Sequence, residues 1–273
     1  MTIPPALTDR LALSRIRQRA SRAPALFLHE AAIAEIKDRL SLVNKSFTAT
    51  AIVTGCPEIW QRAFPDALCV DDAERLDLNK DVHDLVIHAM CLHWANDPVG
   101  QMIQCRHALK PDGLFLCAMF GGETLHQLRA SLAQAESDLT GGLSARIAPM
   151  AEIRDLGGLL QRAGLALPVA DSLPFNVSYT SAFHLMRDLR AMGETSAMNA
   201  RPRRFTRRSV LEKAATIYAE NFSEPENRVS ATFDLIFLAG WAPDASQPKP
   251  LRPGSAAARL SDVLGTDETP LKD

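Results

Sequence analysis

Apolar residues change rhythm near residue 49. Before it they recur at helical spacing. Residues 9–22 set Leu11 and Ile16 among arginines, and residues 26–44 place Leu26, Ile33, Ile36 and Leu40 on one face. Two helices are expected, separated at Pro24. From residue 49 short apolar runs take over, at 49–53, 67–70, 83–90 and 113–120, with helical stretches at 58–64 and 98–109 between them. Strands alternating with helices predict right-handed crossovers and a mostly parallel sheet. The runs are almost continuously apolar, as strands covered on both faces are. Further on, the pattern predicts a helix from the Gly-Gly-Glu at 121–123 to about Ser137, then helices over 152–163, 181–192 and 208–221. Extended pieces are expected at 165–171 and 174–179, and a long last strand at 229–241.

These elements divide the chain into a helical extension at 1–45 and one α/β domain at 46–242. A helical insertion around 123–222 separates the fifth strand from the last. Residues 243–273 are rich in Pro, Ser, Ala and Gly and are expected to be disordered.

Composition narrows the function classes. The 273 residues are 47% hydrophobic and 23% charged, ordinary values for a globular protein. A net charge of −2 provides no global field for nucleic acid or an anionic membrane, and 6% aromatic content argues against base stacking. The five cysteines form no CxxC pair, which favours a reducing compartment and gives no zinc or other metal site. No apolar run reaches the roughly 18 residues of a membrane span. Arg10, Arg15, Arg17, Arg19 and Arg22 fit a mitochondrial presequence, but Asp9 and Pro4-Pro5 do not; a cytoplasmic location is the simpler expectation, with the mitochondrial matrix as the alternative in a eukaryote.

Ligands of open parallel sheets bind beyond the carboxyl ends of the strands. Four places qualify. Gly55 follows the first strand, although Pro57 lacks an N–H and Glu58 is anionic where a phosphate would sit. Asp71-Asp72 follows the second strand and suits ribose hydroxyls or a turn equally well. Glu74 to Leu78 forms a polar–apolar loop. His88 to Trp94 follows what is taken as the fourth strand. In LHWANDP, Asn96 or Asp97 can cap the helix that begins at Pro98. Packing is the favoured role for Trp94. The chain has no GxSxG, GxxxxGK[ST] or HExxH motif, so hydrolase and zinc-protease readings lose support. RPRRFTRR at 201–208 gathers five arginines, read as a solvated loop and helix start or as a site for phosphate or an acidic partner.

The order HDLVIHAMCLHWANDP, ALKPDGLFL, GGETLHQLR and DLRAMGE resembles class I S-adenosylmethionine-dependent methyltransferases. Within these it resembles the methyltransferase-like complex I assembly factors of mitochondria and alphaproteobacteria, and more distantly the malonyl carrier methyltransferases of biotin synthesis. The resemblance implies a Rossmann-like, seven-stranded sheet whose last strand is antiparallel. It implies S-adenosylmethionine at the strand tips and a protein substrate or respiratory-complex subunit as partner. Carried over by residue, the cofactor site is Gly55, Asp71, Asp72, Leu76, Asp77, His88, His93 and Trp94. The motif's acid falls on Val53, and two of its glycines fall on Pro57 and Ile59. Two readings follow: a methyltransferase-like enzyme acting on a protein side chain, or a non-catalytic assembly factor that keeps the fold.

Overall fold

The computed structural model describes residues 6–248 and Gly265. Helices α1 (Arg10–Ala20) and α2 (Phe27–Leu42) come first. Asp9 starts α1 by accepting a hydrogen bond from the Ala12 N–H at 3.0 Å. The α/β region follows as β1 (Thr50–Thr54), α3 (Pro57–Ala63), β2 (Leu68–Val70), β3 (His83–Ala89), α4 (Pro98–Ala108) and β4 (Leu109–Gly121). Then come α5 (His126–Thr140), α6 (Ile153–Arg162), β5 (Ala166–Tyr179), α7 (Ala182–Met192), α8 (Arg208–Asn221), β6 (Ser223–Glu224) and β7 (Arg228–Trp241).

The sheet runs β2-β1-β3-β4-β7-β5, with the two-residue β6 also paired to β7. Pairings among β2, β1, β3 and β4 are parallel, whereas β7 is antiparallel to β4, β5 and β6. One strand therefore runs against the other six. Alternation along the strands divides the core between two faces. Ile52, Ile87 and Leu116 meet α2, α3 and α5 on one face. Val53, Val86 and Phe115 meet α4 and α6 on the other.

Two sequence expectations change. His88 to Trp94 follow the third described strand, because residues 71–82 cross from β2 to β3 without a helix or a further strand. No apolar run exists there to build one. The extended pieces expected at 165–171 and 174–179 are one strand of 14 residues, which contains Pro168 and Pro174. β5 ends the strand order, and an edge strand tolerates residues that donate no ladder hydrogen bond. The expected tail lies outside the described residues from 249 onward, Gly265 excepted. The described residues up to Pro243 fall within one compact unit.

Candidate functional site at the strand tips

The loop after β1 is covered by α1. A Cβ placed on Gly55 would overlap the guanidinium of Arg17, so only a glycine permits that approach. Arg17 Nη1 also donates to Asp72 Oδ1 at 2.7 Å, and Arg10 Nη2 donates to the same oxygen at 3.0 Å. Residues seven apart lie on one side of a helix, which is why both arginines reach one carboxylate. Asp72 is only 1% exposed. Burial alone would raise its pKa, yet the charges and hydrogen bonds of Arg17 and Arg10 hold it well below the usual carboxylate range. Burial works against the Arg17 charge, and Asp72 more than restores it. Beside this triad lies a cavity of ≈ 300 Å³, lined by Arg17, Gly55, Cys56, Glu58 and Met192. Burial raises the Cys56 thiol to about 11, so it stays protonated near neutrality.

The tip of β3 contributes differently. His88 is fully buried, and its Nε2 lies 2.8 Å from Gln101 Oε1. Burial pulls its pKa down to about 4. Gln101 in turn donates to the Ala73 carbonyl at 3.0 Å, tying α4 to the loop after β2. His88 is thus a neutral core residue that supports the Asp72 loop from beneath. Trp94 packs with Leu13, Ile16 and Ala197, and so joins α1 to the strand tips.

His93 and Trp94 converge on Glu194, from the segment after α7. Trp94 Nε1 donates to Glu194 Oε2 at 2.8 Å, and His93 Nε2 lies 3.2 Å from the same oxygen. Burial opposes ionisation of Glu194, but His93, Arg17 and the Trp94 N–H together hold its pKa below the ordinary value. On the far side of this cluster is a second cavity, of ≈ 470 Å³, lined by Phe120, Leu128, Met186, Arg146, Glu194 and Ser196 among others. His93 Nδ1 and Ser196 Oγ border it, buried and without a hydrogen-bond partner. Its size is that of a small-molecule or side-chain pocket. Its walls are mainly apolar, and the charged side chains lining it are Glu194, Arg146 and Arg190, with Arg146 paired to Glu136.

The sequence-derived set divides accordingly. Gly55, Asp72, His93 and Trp94 come together around Arg17 and Glu194. Asp71 is exposed at the rim, accepting from the Asp72 N–H at 2.9 Å. Leu76 is buried against the α4 side of the core, with its N–H donating to Gln104 Oε1 at 2.8 Å, and Asp77 is exposed. Sequence reasoning missed Arg10, Arg17 and Glu194 as site residues. The seven-residue arginine spacing was a usable signal. Nothing local marks Glu194, which is 101 residues from His93. Among the described residues no three His, Cys, Asp or Glu side chains form a metal-sized group.

As arranged, these residues do not fit the methionine end of S-adenosylmethionine. Val53 is a fully buried core residue rather than an acid, Pro57 has no N–H, and Arg17 sets a cation against Gly55. Asp72, expected from the sequence to meet ribose hydroxyls, is instead buried and paired with Arg10 and Arg17.

The strand order is the one the methyltransferase resemblance implies, and the family described as "Methyltransferase domain" matches residues 28–117, so the chain is similar to that family over this stretch. It is 39% identical over 198 residues to arginine-hydroxylase NDUFAF5, mitochondrial, of Danio rerio, covering 72% of this chain and 61% of that protein. It is 34% identical over 221 residues to the Homo sapiens protein of the same name, covering 81% and 64% respectively. The malonyl-[acyl-carrier protein] O-methyltransferase of Xylella fastidiosa (strain M23) is 33% identical over 184 residues, 67% of this chain and 60% of that one. The chain thus spans less than two thirds of these relatives' length.

Proposed function

We propose that the chain is an S-adenosylmethionine-dependent methyltransferase-like protein that acts on an arginine side chain of a protein substrate, in the assembly of respiratory complex I. The relatives named arginine-hydroxylase support the target, and their mitochondrial naming supports a compartment facing the respiratory chain. One observation carries the reading: Glu194, held ionised by His93 and Trp94, borders the ≈ 470 Å³ pocket that these two strand-tip residues also line. A guanidinium on an apolar stem would pair with the Glu194 carboxylate, while Arg190 and the Glu136-paired Arg146 also line the pocket. This chain's residues supply position: Glu194 orients the target, and Asp72 is available to the ribose only after Arg10 and Arg17 withdraw.

The Arg10–Asp72–Arg17 triad favours a second reading, a fold-retaining assembly factor that does not use the cofactor. Calorimetry with S-adenosylmethionine separates the two. On the first reading Arg10→Ala with Arg17→Ala binds at least about tenfold more tightly than the parent chain, about 1.4 kcal/mol, and adding Asp72→Asn reverses the gain. Absence of binding by both chains at millimolar cofactor, with folding verified by circular dichroism, leaves the assembly-factor reading.

A further inference from the structure

We infer that the arginine-rich segment at 201–208, with the start of α1, is a docking surface for an acidic stretch of the protein substrate, at the mouth of the ≈ 470 Å³ pocket. The inference rests on reading that pocket as the acceptor site.

The whole chain carries −2, but its arginines are not spread evenly. The segment holds Arg201, Arg203, Arg204, Arg207 and Arg208 and no acid. Asp9, just before α1, pairs with Arg201 at 2.9 Å and Arg203 at 3.0 Å and joins the segment to that helix. Arg208 pairs with Glu212 at 2.7 Å. Arg204 and Arg207 are exposed and, among the described residues, form no ion pair. Arg207 is also the N-cap residue of α8, whose first turn contains no acid. Cations there oppose the helix dipole, a cost that an external anion removes.

Phe205, between these arginines, is 102% exposed. A phenyl ring wholly in water within a cationic loop gains by burial against a partner. Arginine and aromatic residues are enriched where proteins bind proteins, whereas lysine is depleted there, and this segment has no lysine. The planar guanidinium fork pairs two-to-two with carboxylates.

Position links the segment to the pocket. Thr206 and Leu7 both line the cavity. Arg146, itself paired with Glu136 at 2.7 Å, donates to Thr206 Oγ1 at 2.8 Å. The segment is therefore part of the rim. An extended polypeptide crossing the rim would set acidic residues against Arg204 and Arg207, rest an apolar group on Phe205 and lower one side chain into the pocket. A flat anionic bilayer would meet Phe205 and the arginines but would not use the opening between them.

The test is fluorescence anisotropy with the full chain and two short labelled peptides. One carries aspartates and glutamates around a central arginine, and the other replaces each acid by its amide. The acidic peptide is expected to bind at least about tenfold more tightly, with the difference shrinking at high ionic strength. Arg204→Glu with Arg207→Glu removes the preference, and Phe205→Ala weakens both peptides. Equal binding of the two peptides, or an unchanged preference in the charge-reversed chain, overturns the proposal. So does Arg204- and Arg207-dependent sedimentation with phosphatidylglycerol vesicles in the absence of acidic-peptide binding, which would identify a lipid surface. No cofactor is added, so failure here is distinct from failure of the calorimetric test.

Discussion

Asp72 shows how one residue changes its meaning between sequence and structure. After β2 it reads as a ribose ligand or a turn. In the fold it is a buried anion held by two arginines from a helix 55 and 62 residues away. Removing the partners of a buried charge costs about 3–5 kcal/mol. Arg10→Ala with Arg17→Ala should lower stability by about that amount, read from the urea midpoint at neutral pH, and adding Asp72→Asn should recover most of it. A loss below about 1 kcal/mol would show that the pairs are incidental. Buried histidines add a pH dependence. Burial draws both His29 and His88 to about 4, and His29 Nδ1 accepts from Trp60 Nε1 at 3.1 Å. With folded pKa values below the unfolded 6.5, the unfolded chain takes up protons first on acidification. This stabilisation is full above pH 6.5 and is lost as pH falls toward about 4, by about 1.4 kcal/mol per unit for each group. Urea titrations between these limits should show that slope, and His88→Gln should reduce it.

Among the elements, α1 decides access to the strand tips. Leu13 and Ile16 hold it against Trp94 and Ala197, and its N-terminal end is fastened by the Asp9 N–H to the Ala197 carbonyl at 2.8 Å. Leu13 is 1% exposed. Leu13→Ala should cost about 2–4 kcal/mol and speed trypsin cleavage within residues 10–22, where the exposed arginines lie; unchanged digestion would mean that α1 is held by other contacts. The turn after α7 positions Glu194. Gly193 has φ +80°, with Ala20 Cβ at 3.5 Å from the place of an added Cβ. Gly193→Ala should therefore destabilise by about 1 kcal/mol and shift Trp94 fluorescence as Glu194 moves; an unaltered spectrum would argue against that coupling. Most elements were legible because each carries its own period and boundary: Asp97 caps α4 by accepting from the Gly100 N–H at 2.8 Å, as the Asn-Asp-Pro sequence implied. β5 was legible only as two extended pieces, and its continuity through residues 172–173 comes from unbroken pairing with β7.

Across the whole molecule, apolar runs, crossover order and short motifs determined the α/β class and pointed to the strand tips as the candidate site. They also exposed the weak point of that site, since Val53, Pro57 and Ile59 can be read one at a time. These features depend on local period and composition, which a chain carries along its length. Tertiary structure alone decided what occupies the site. Arg17 reaches Gly55 and Asp72, and Glu194 meets His93 and Trp94, through folding of remote segments onto one sheet end. Charge followed the same division. The total of −2 was readable by counting, but whether each arginine faces Asp72, Asp9 or solvent depends on which acids folding brings within a few ångströms. Coulomb energy depends on distance in space, and distance along the chain does not encode it.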